Sequence, residues 1–258
     1  MRPATKSMNT LQRLLVCSLI LNLVFFGLSA FFVYHRGGLP YLISKVAPAL
    51  QTTAPPLKFI ERPQYLGRKD LYANLPGRDG AIVFAGDSLI HDAAWDELFQ
   101  RPVLNRGIGG DTVEGLRLRI GEVLRHHPRQ LFIMIGINHL IAGETSDDVW
   151  TEYEKLIRVI RTESPQTQLL LQSILPVNGA VRTEELPFHL ATEIIQVNRK
   201  LKETADGKQV VYIDLYSQML TEEDQLDRRY TEDGVHLNGA GYLKWRDVLR
   251  PYLSERTS

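Results

Sequence analysis

Cysteine is nearly missing: Cys17 stands alone in 258 residues, so no intrachain disulfide can form. A surplus of charge of either sign is missing as well. Thirty basic and thirty acidic residues cancel, and nothing in that balance offers the basic face that nucleic-acid binding requires. Neither an internal repeat nor a low-complexity tract is present. Two nucleotide and hydrolase signatures are absent too. Gly107, Gly109 and Gly110 are wrongly spaced for a dinucleotide-binding G-x-G-x-x-G. No Gly-x-Ser-x-Gly occurs, which disfavours a nucleophile-elbow α/β-hydrolase. What remains is an ordinary globular composition, 44% hydrophobic and 23% charged, long enough for one sizeable domain.

The chain opens on an apolar run. Leu14 to Tyr34 is interrupted only by Cys17, Ser18, Asn22, Gly27 and Ser29. Such a run of 21 residues, at about 1.5 Å each, makes roughly 31 Å of helix, the thickness of a bilayer core. It exceeds the about 7–15 apolar residues of a cleavable signal, and Leu28-Ser29-Ala30 before Phe31-Phe32 is a poor cleavage site. An uncleaved membrane anchor is the expectation. Arg2, Lys6 and Arg13 precede it, against Arg36 and Lys45 after it. The positive-inside rule then favours a cytoplasmic N-terminus and an extracytoplasmic body, periplasmic in a Gram-negative bacterium. Pro40, Pro48, Pro55, Pro56 and Pro63 follow and read as a stalk, with Tyr41 to Leu50 as an amphipathic turn or two. The expected organisation is a tail at 1–13, an anchor at 14–34, a Pro-rich linker at 35–58 and a globular domain at 59–258.

In that domain short apolar runs alternate with helical patterns. Strands are expected at Ile82–Ala85, Pro102–Asn105, Leu131–Ile135, Leu169–Leu175 and Val210–Leu215. Helices are expected at Ala93–Gln100, from Asp111 or Thr112 to Leu124, after a cap at Ser146, through Ile194 to Leu201, and at Gly239–Leu253. This alternation predicts an α/β fold with a parallel sheet covered on both faces. Right-handed crossovers bring the C-terminal ends of all strands to one edge. Ser88, Gly107 to Gly110, and Gly136 to Asn138 each follow a strand directly, so the three loops converge there.

A serine hydroxyl becomes a nucleophile when an imidazole takes its proton and a carboxylate fixes that imidazole. Ser88 ends the first strand in Gly86-Asp87-Ser88-Leu89, where Asp87-Ser88 could equally well be a helix cap. Among seven histidines, His126 and His127 close a helix, where the helix dipole accounts for them, and His139 is a minor candidate. His236 precedes the last helix, with Asp233 three residues upstream across Gly234. Turn-and-cap roles for Asp233 and Asn238 are the plainer alternative. Donors for an oxyanion are available at the Ser88 N–H, at Gly109-Gly110 and at the Asn138 side chain.

Gly86-Asp87-Ser88-Leu89, Asn105-x-Gly107-x-Gly109-Gly110-Asp111-Thr112, Gly136-Ile137-Asn138 and Asp233-x-x-His236 occur in that order. Together they resemble the four blocks of the SGNH (GDSL) hydrolases. From about Ile82 to Leu253 the chain is most similar to catalytic subunits of platelet-activating-factor acetylhydrolase and their bacterial relatives. The resemblance implies a flavodoxin-like sheet of order 2-1-3-4-5, a Ser88–His236–Asp233 triad, and an oxyanion hole from the Ser88 and Gly110 N–H groups and Asn138. Asp87 is then a brace for the turn. One departure is His139, where the family often has Asp or Asn. The expected function is a membrane-anchored serine esterase acting on short-chain, O-acetyl-type esters of a small molecule, glycan or lipid, with no metal and no organic cofactor. The same parts could serve an acyltransferase, a lysophospholipase or thioesterase, or a non-catalytic binding module. The acyl group, the alcohol and the oligomeric state are left open.

Overall fold

A computed structural model describes residues 10–35, 59–182 and 186–253 of the chain. The linker after residue 35 and the turns expected at 41–50 lie outside the described residues, as do residues 1–9 of the tail. The chain divides into two compact units, Met1–Pro56 and Leu57–Ser258. In the first unit, helix α1 (Thr10–His35) is apolar on every side. Its stretch Leu14–His35, 22 residues of mean hydropathy 2.4 in its most apolar window, is long and apolar enough to cross a membrane.

The second unit opens on a 3-10 turn (Phe59–Glu61) and helix α2 (Pro63–Asn74), for which Pro63 supplies the preset first-turn φ. Strand β1 (Ile82–Gly86) leads into the short helix α3 (Ser88–His91), followed by α4 (Trp95–Phe99). Strand β2 (Leu104–Gly107), helices α5 (Val113–Leu118) and α6 (Ile120–Leu124), and strand β3 (Gln130–Met134) come next. Helices α7 (Ile137–Ile141) and α8 (Ser146–Glu163), strand β4 (Gln168–Gln172), helix α9 (Leu190–Thr204), strand β5 (Val210–Ile213) and helix α10 (Gly239–Leu249) complete it. The five strands form one parallel sheet of order β2-β1-β3-β4-β5, as expected.

Alternate residues of the central strands feed two cores. Val83, Ala85, Leu131, Ile133, Leu169 and Leu171 pack with α5, α6, α8 and α9 on one face. Ile82, Phe84, Phe132, Met134 and Leu170 pack with α3, α4 and α10 on the other. Because both faces are covered, these strands read as continuous apolar runs rather than alternating ones. Phe84 stacks on Phe132 and Trp95, with ring centroids 4.5 and 4.3 Å apart.

Several boundaries differ from the sequence expectation, each for an identifiable reason. Strand β2 begins at Leu104, not Pro102, since proline has no N–H for the ladder, and its pairing with β1 continues to Gly107. Strand β4 ends at Gln172 rather than Leu175. There the backbone of Ile174 turns away to Asn198, whose side chain accepts from its N–H at 2.7 Å and donates to its carbonyl at 2.9 Å. Helix α8 is capped by Thr145, not Ser146: Thr145 and Asp148 form a reciprocal capping box. The helix expected through Leu124 breaks at Arg119, and α10 ends at Leu249 before a 3-10 turn containing Pro251.

Trp245 locks α10 onto the sheet. Its ring is buried, and its Nε1–H donates to Gln172 Oε1 at 2.7 Å. Trp245→Phe removes that donor and strands a buried acceptor, so unfolding should become easier by about 1–3 kcal/mol. A urea midpoint equal to wild type would show that the bond contributes nothing.

Candidate active site at the sheet edge

Ser88 is the first residue of α3, directly beyond β1, so its N–H has no intrahelical acceptor. Asp87 precedes it as the helix cap, its Oδ1 accepting from the Leu89 N–H at 3.1 Å. The turn-bracing role expected of Asp87 is what its contacts describe. The Asp87 side chain is buried and Oδ2 has no partner. Burial pushes its carboxyl from 3.8 up to about 7, and the nearby Asp111 adds to the rise.

His236 reaches the same edge from a point 148 residues later in the chain. Its loop is held by Thr231 Oγ1, which accepts from Gly234 N–H at 2.9 Å, and by Asn178 N–H, which donates to Gly234 O at 2.8 Å. Gly234 has φ of +82°, and a Cβ there would lie 2.2 Å from the Asn178 carbonyl, so only glycine allows this approach. Tyr242 Oη of α10 donates to Leu89 O at 3.0 Å, bracing the histidine's helix against the serine's.

These supports leave Ser88 Oγ 3.0 Å from His236 Nε2, and His236 Nδ1 2.6 Å from Asp233 Oδ2. The other Asp233 oxygen accepts the N–H groups of Val235 at 2.9 Å and His236 at 2.7 Å. Burial alone would raise the Asp233 carboxyl, but the hydrogen bonds from His236 and Val235 outweigh it and hold it down at about 2. An ionised Asp233 accepts Nδ1–H and leaves the Nε2 lone pair facing the serine hydroxyl. Both side chains stay open to solvent, His236 at 46% and Asp233 at 51%.

The loop after β2 supplies the remaining groups. Ile108 to Asp111 form a turn closed by Asp111 N–H to Ile108 O at 3.0 Å, with Gly110 at φ of +80°. That is the type II position reserved for glycine. Gly109 borders Ser88: a Cβ on it would lie 4.0 Å from the Ser88 Cβ. Asn138, in α7, donates Nδ2–H to Asp111 O at 2.9 Å and keeps its second amide proton for another acceptor. Ser88, Gly110 and Asn138, expected together from the sequence, therefore belong to three loops meeting at one edge.

A pairing that the sequence did not reveal, between Asp111 and Arg119, holds this loop. Asp111 and Arg119 are both fully buried and paired, Nη2 to Oδ2 at 2.7 Å and Nε to Oδ2 at 2.9 Å. Asp111 Oδ1 accepts from Thr112 N–H at 2.8 Å, and Arg119 Nη2 reaches the Gly86 carbonyl at 3.4 Å. Burial raises the Asp111 carboxyl to about 6 against the pull of Arg119. The signal was faint: Arg119 lies beside, not on, the stripe Val113, Leu116, Ile120, Leu124, and only its burial shows that it needs a partner.

Other histidines fall elsewhere. His126 is buried, its Nδ1 accepting from the Arg78 N–H at 3.0 Å and its Nε2 lying 3.2 Å from Arg106 Nη2, and burial and then Arg106 lower its pKa to about 4. His91 faces Arg68 and Asp92. His139 is 5% exposed with Nδ1 unpartnered, and burial lowers its pKa. It lines a cleft of about 520 Å3 with Phe59, Ile60, Arg62, Gly110, Glu114, Asn138 and Glu144. A second, apolar cavity of only about 10 Å3 lies among Asp87, Leu89, Ile137, Ile174 and Val235. No group of three or more His, Cys, Asp or Glu side chains able to hold a metal occurs among the described residues.

A five-stranded parallel sheet with a strand-end serine facing a histidine–aspartate pair defines a class of α/β ester hydrolase. The profile of the GDSL-like Lipase/Acylhydrolase family matches residues 84–244, and the chain belongs to that family. It is a hydrolase of the acylhydrolase type. Human platelet-activating factor acetylhydrolase IB subunit alpha2 is 28% identical over 171 residues, covering 63% of this chain and 71% of that protein. The human alpha1 subunit is 25% identical over 178 residues, covering 66% and 74%. A Streptococcus pneumonia structure provisionally described as a platelet activating factor superposes with a TM-score of 0.66 at 26% identity, over 74% of this chain and 91% of that one. A GDSL-like lipase from Bacteroides thetaiotaomicron shares the fold, with a TM-score of 0.59 at 20% identity over 73% and 96%.

The raised Asp87 carboxyl carries a testable consequence. Its proton is held more tightly in the folded protein than in the unfolded chain, so between about pH 4 and pH 7 stability falls as pH rises. Asp87→Asn keeps an oxygen for Leu89 N–H and removes the buried charge. It should raise stability by on the order of a few kcal/mol at pH 8 and leave it unchanged at pH 4. Thermal unfolding at the two pH values decides: an equal difference at both would refute the buried-charge account.

Proposed function

We propose that this chain is a membrane-anchored serine esterase that hydrolyses short-chain, O-acetyl-type carboxylic esters. The observation that carries the reading is the continuous relay from Ser88 Oγ through His236 to Asp233, at 3.0 and 2.6 Å. Ser88 Oγ bonds to the ester carbonyl carbon while its proton passes to His236 Nε2, and Asp233 stabilises the imidazolium that results. The carbonyl oxygen, now negative, is received by the Ser88 and Gly110 N–H groups and the free amide proton of Asn138. His236 then returns the proton to the departing alcohol. Water, activated by the same imidazole, releases the acid from the acyl-enzyme.

Water reaches His236, whose side chain is 46% exposed, as hydrolysis of an acyl-enzyme requires. The acetylhydrolase names of the curated relatives point the same way. Anchoring rests on Leu14–His35, and the charges Arg2, Lys6 and Arg13 before it favour an extracytoplasmic body. Glycan O-acetyl groups are then substrates within reach, with lysophospholipids and small acyl esters as the other ester classes.

A fluorophosphonate probe applied to the full chain in detergent tests the nucleophile. Wild type should be labelled and Ser88→Ala should not; a folded, unlabelled wild type would sink the reading. Turnover of an activated acetyl ester should decline as pH drops from about 8 to 5, where an imidazole gains its proton. Asp233, held at about 2, stays ionised throughout that window. A flat profile would require a base other than His236.

A further inference from the structure

We propose that the segment Phe59–Asn74, upstream of the family-matched residues 84–244, is a working wall of the active site. In it Phe59 determines specificity, and Tyr65 and Tyr72 are positioning residues for the oxyanion loop. The proposal rests on the esterase reading above and adds to it residues that none of the four sequence blocks contains.

The loop from Gly107 to Gly115 is gripped at both ends by this segment. Tyr72 Oη donates to Gly107 O at 2.8 Å, and Tyr65 Oη donates to Gly115 O at 2.8 Å. Both tyrosines are buried, at 1% for Tyr65 and 5% for Tyr72, and burial holds both hydroxyls in the protonated, donating form. Arg106 lies over the Tyr72 ring at 4.9 Å. Between the two anchor points, Ile108 is buried with Tyr65 and Tyr72 in a small core separate from the two that flank the sheet. Phe59, Ile60 and Leu75 pack against it.

Phe59 then meets the turn itself. A Cβ on Gly110 would lie 2.6 Å from Phe59 Cε2, so the ring occupies the space any side chain at that position would need. Tyr65 sets the ring edge-on, with centroids 5.2 Å apart. Phe59 and Arg62 thereby line the roughly 520 Å3 cleft together with Gly110, Asn138, His139 and Glu144. A substrate whose carbonyl oxygen sits at Gly110 and Asn138 must pass its larger substituent along this aromatic wall. Sub-ångström displacement of the Gly110 N–H weakens an oxyanion bond more than it weakens ground-state binding, so the tyrosines act on kcat, whereas the wall acts on substrate choice.

The test uses the full chain in detergent and acetyl or longer acyl esters of graded alcohol size. Tyr65→Phe with Tyr72→Phe should lower kcat about tenfold or more with KM little changed, in a protein whose thermal transition remains cooperative and above the assay temperature. Phe59→Ala should shift relative kcat/KM toward bulkier esters by about tenfold, and Phe59→Leu should restore most of the original preference. A double Phe variant with wild-type kcat, or a Phe59→Ala variant with unaltered preference, would overturn the proposal while wild type still reacts with fluorophosphonate. An unreactive wild type would instead bring down the esterase reading itself.

Discussion

A single buried ion pair organises the edge on which the chemistry is proposed to occur. Asp111 and Arg119 are sealed from solvent, and each contacts a different part of the site. Asp111 fixes the start of α5 through Thr112 N–H and offers its carbonyl to Asn138, while Arg119 reaches the carbonyl at the end of β1, one residue before Asp87-Ser88. Three loops are thus tied through one pair of charges. Such a pair adds little net stability over an apolar substitute of the same shape, but either half alone would be a buried uncompensated charge. Its effect is therefore to leave the three loops one arrangement, with the glycine turn and the Asn138 amide at a fixed separation from Ser88.

The second constraint is distance along the chain. Ser88 and His236 meet because β1 is an interior strand of the sheet and α10 returns over the face carrying Trp95 and Phe84. The edge-on contact of Trp245 with Trp95 and the Tyr242 hydroxyl on Leu89 O set that return. Asp233 needs no such help: it shares a tight loop with His236 and accepts three of that loop's N–H bonds. The relay thus combines one long-range contact that depends on packing with one local contact set by an Asp-Gly-x-His spacing.

Much of this was legible in the residues because buried parallel strands read as apolar runs and their loops must converge. Ser88, Gly110, Asn138, Asp233 and His236 could be named since each lies in a short motif at a strand end or helix start. Arg119 was harder: a charge at the margin of an apolar stripe does not say that it is buried, nor which of many carboxylates would pair with it. Helix α2 was harder still. Its buried residues Tyr65 and Tyr72, seven apart, mark one face while Leu66 and Leu71 are left exposed, yet nothing local says that this face grips the loop after β2. Strand ends shifted where backbone partners outside the sheet, such as Asn198 at Ile174, took over from the ladder.

The central claim is that Ser88 carries the acyl group during turnover. Rapid quenching of the full chain in detergent with a short-chain acyl ester, followed by peptide mass spectrometry, tests it directly. The account predicts an acyl adduct on the peptide containing Ser88, formed at least as fast as turnover and lost with time in water. Steady ester turnover with an adduct on another residue, or turnover undiminished in Ser88→Ala, would contradict it.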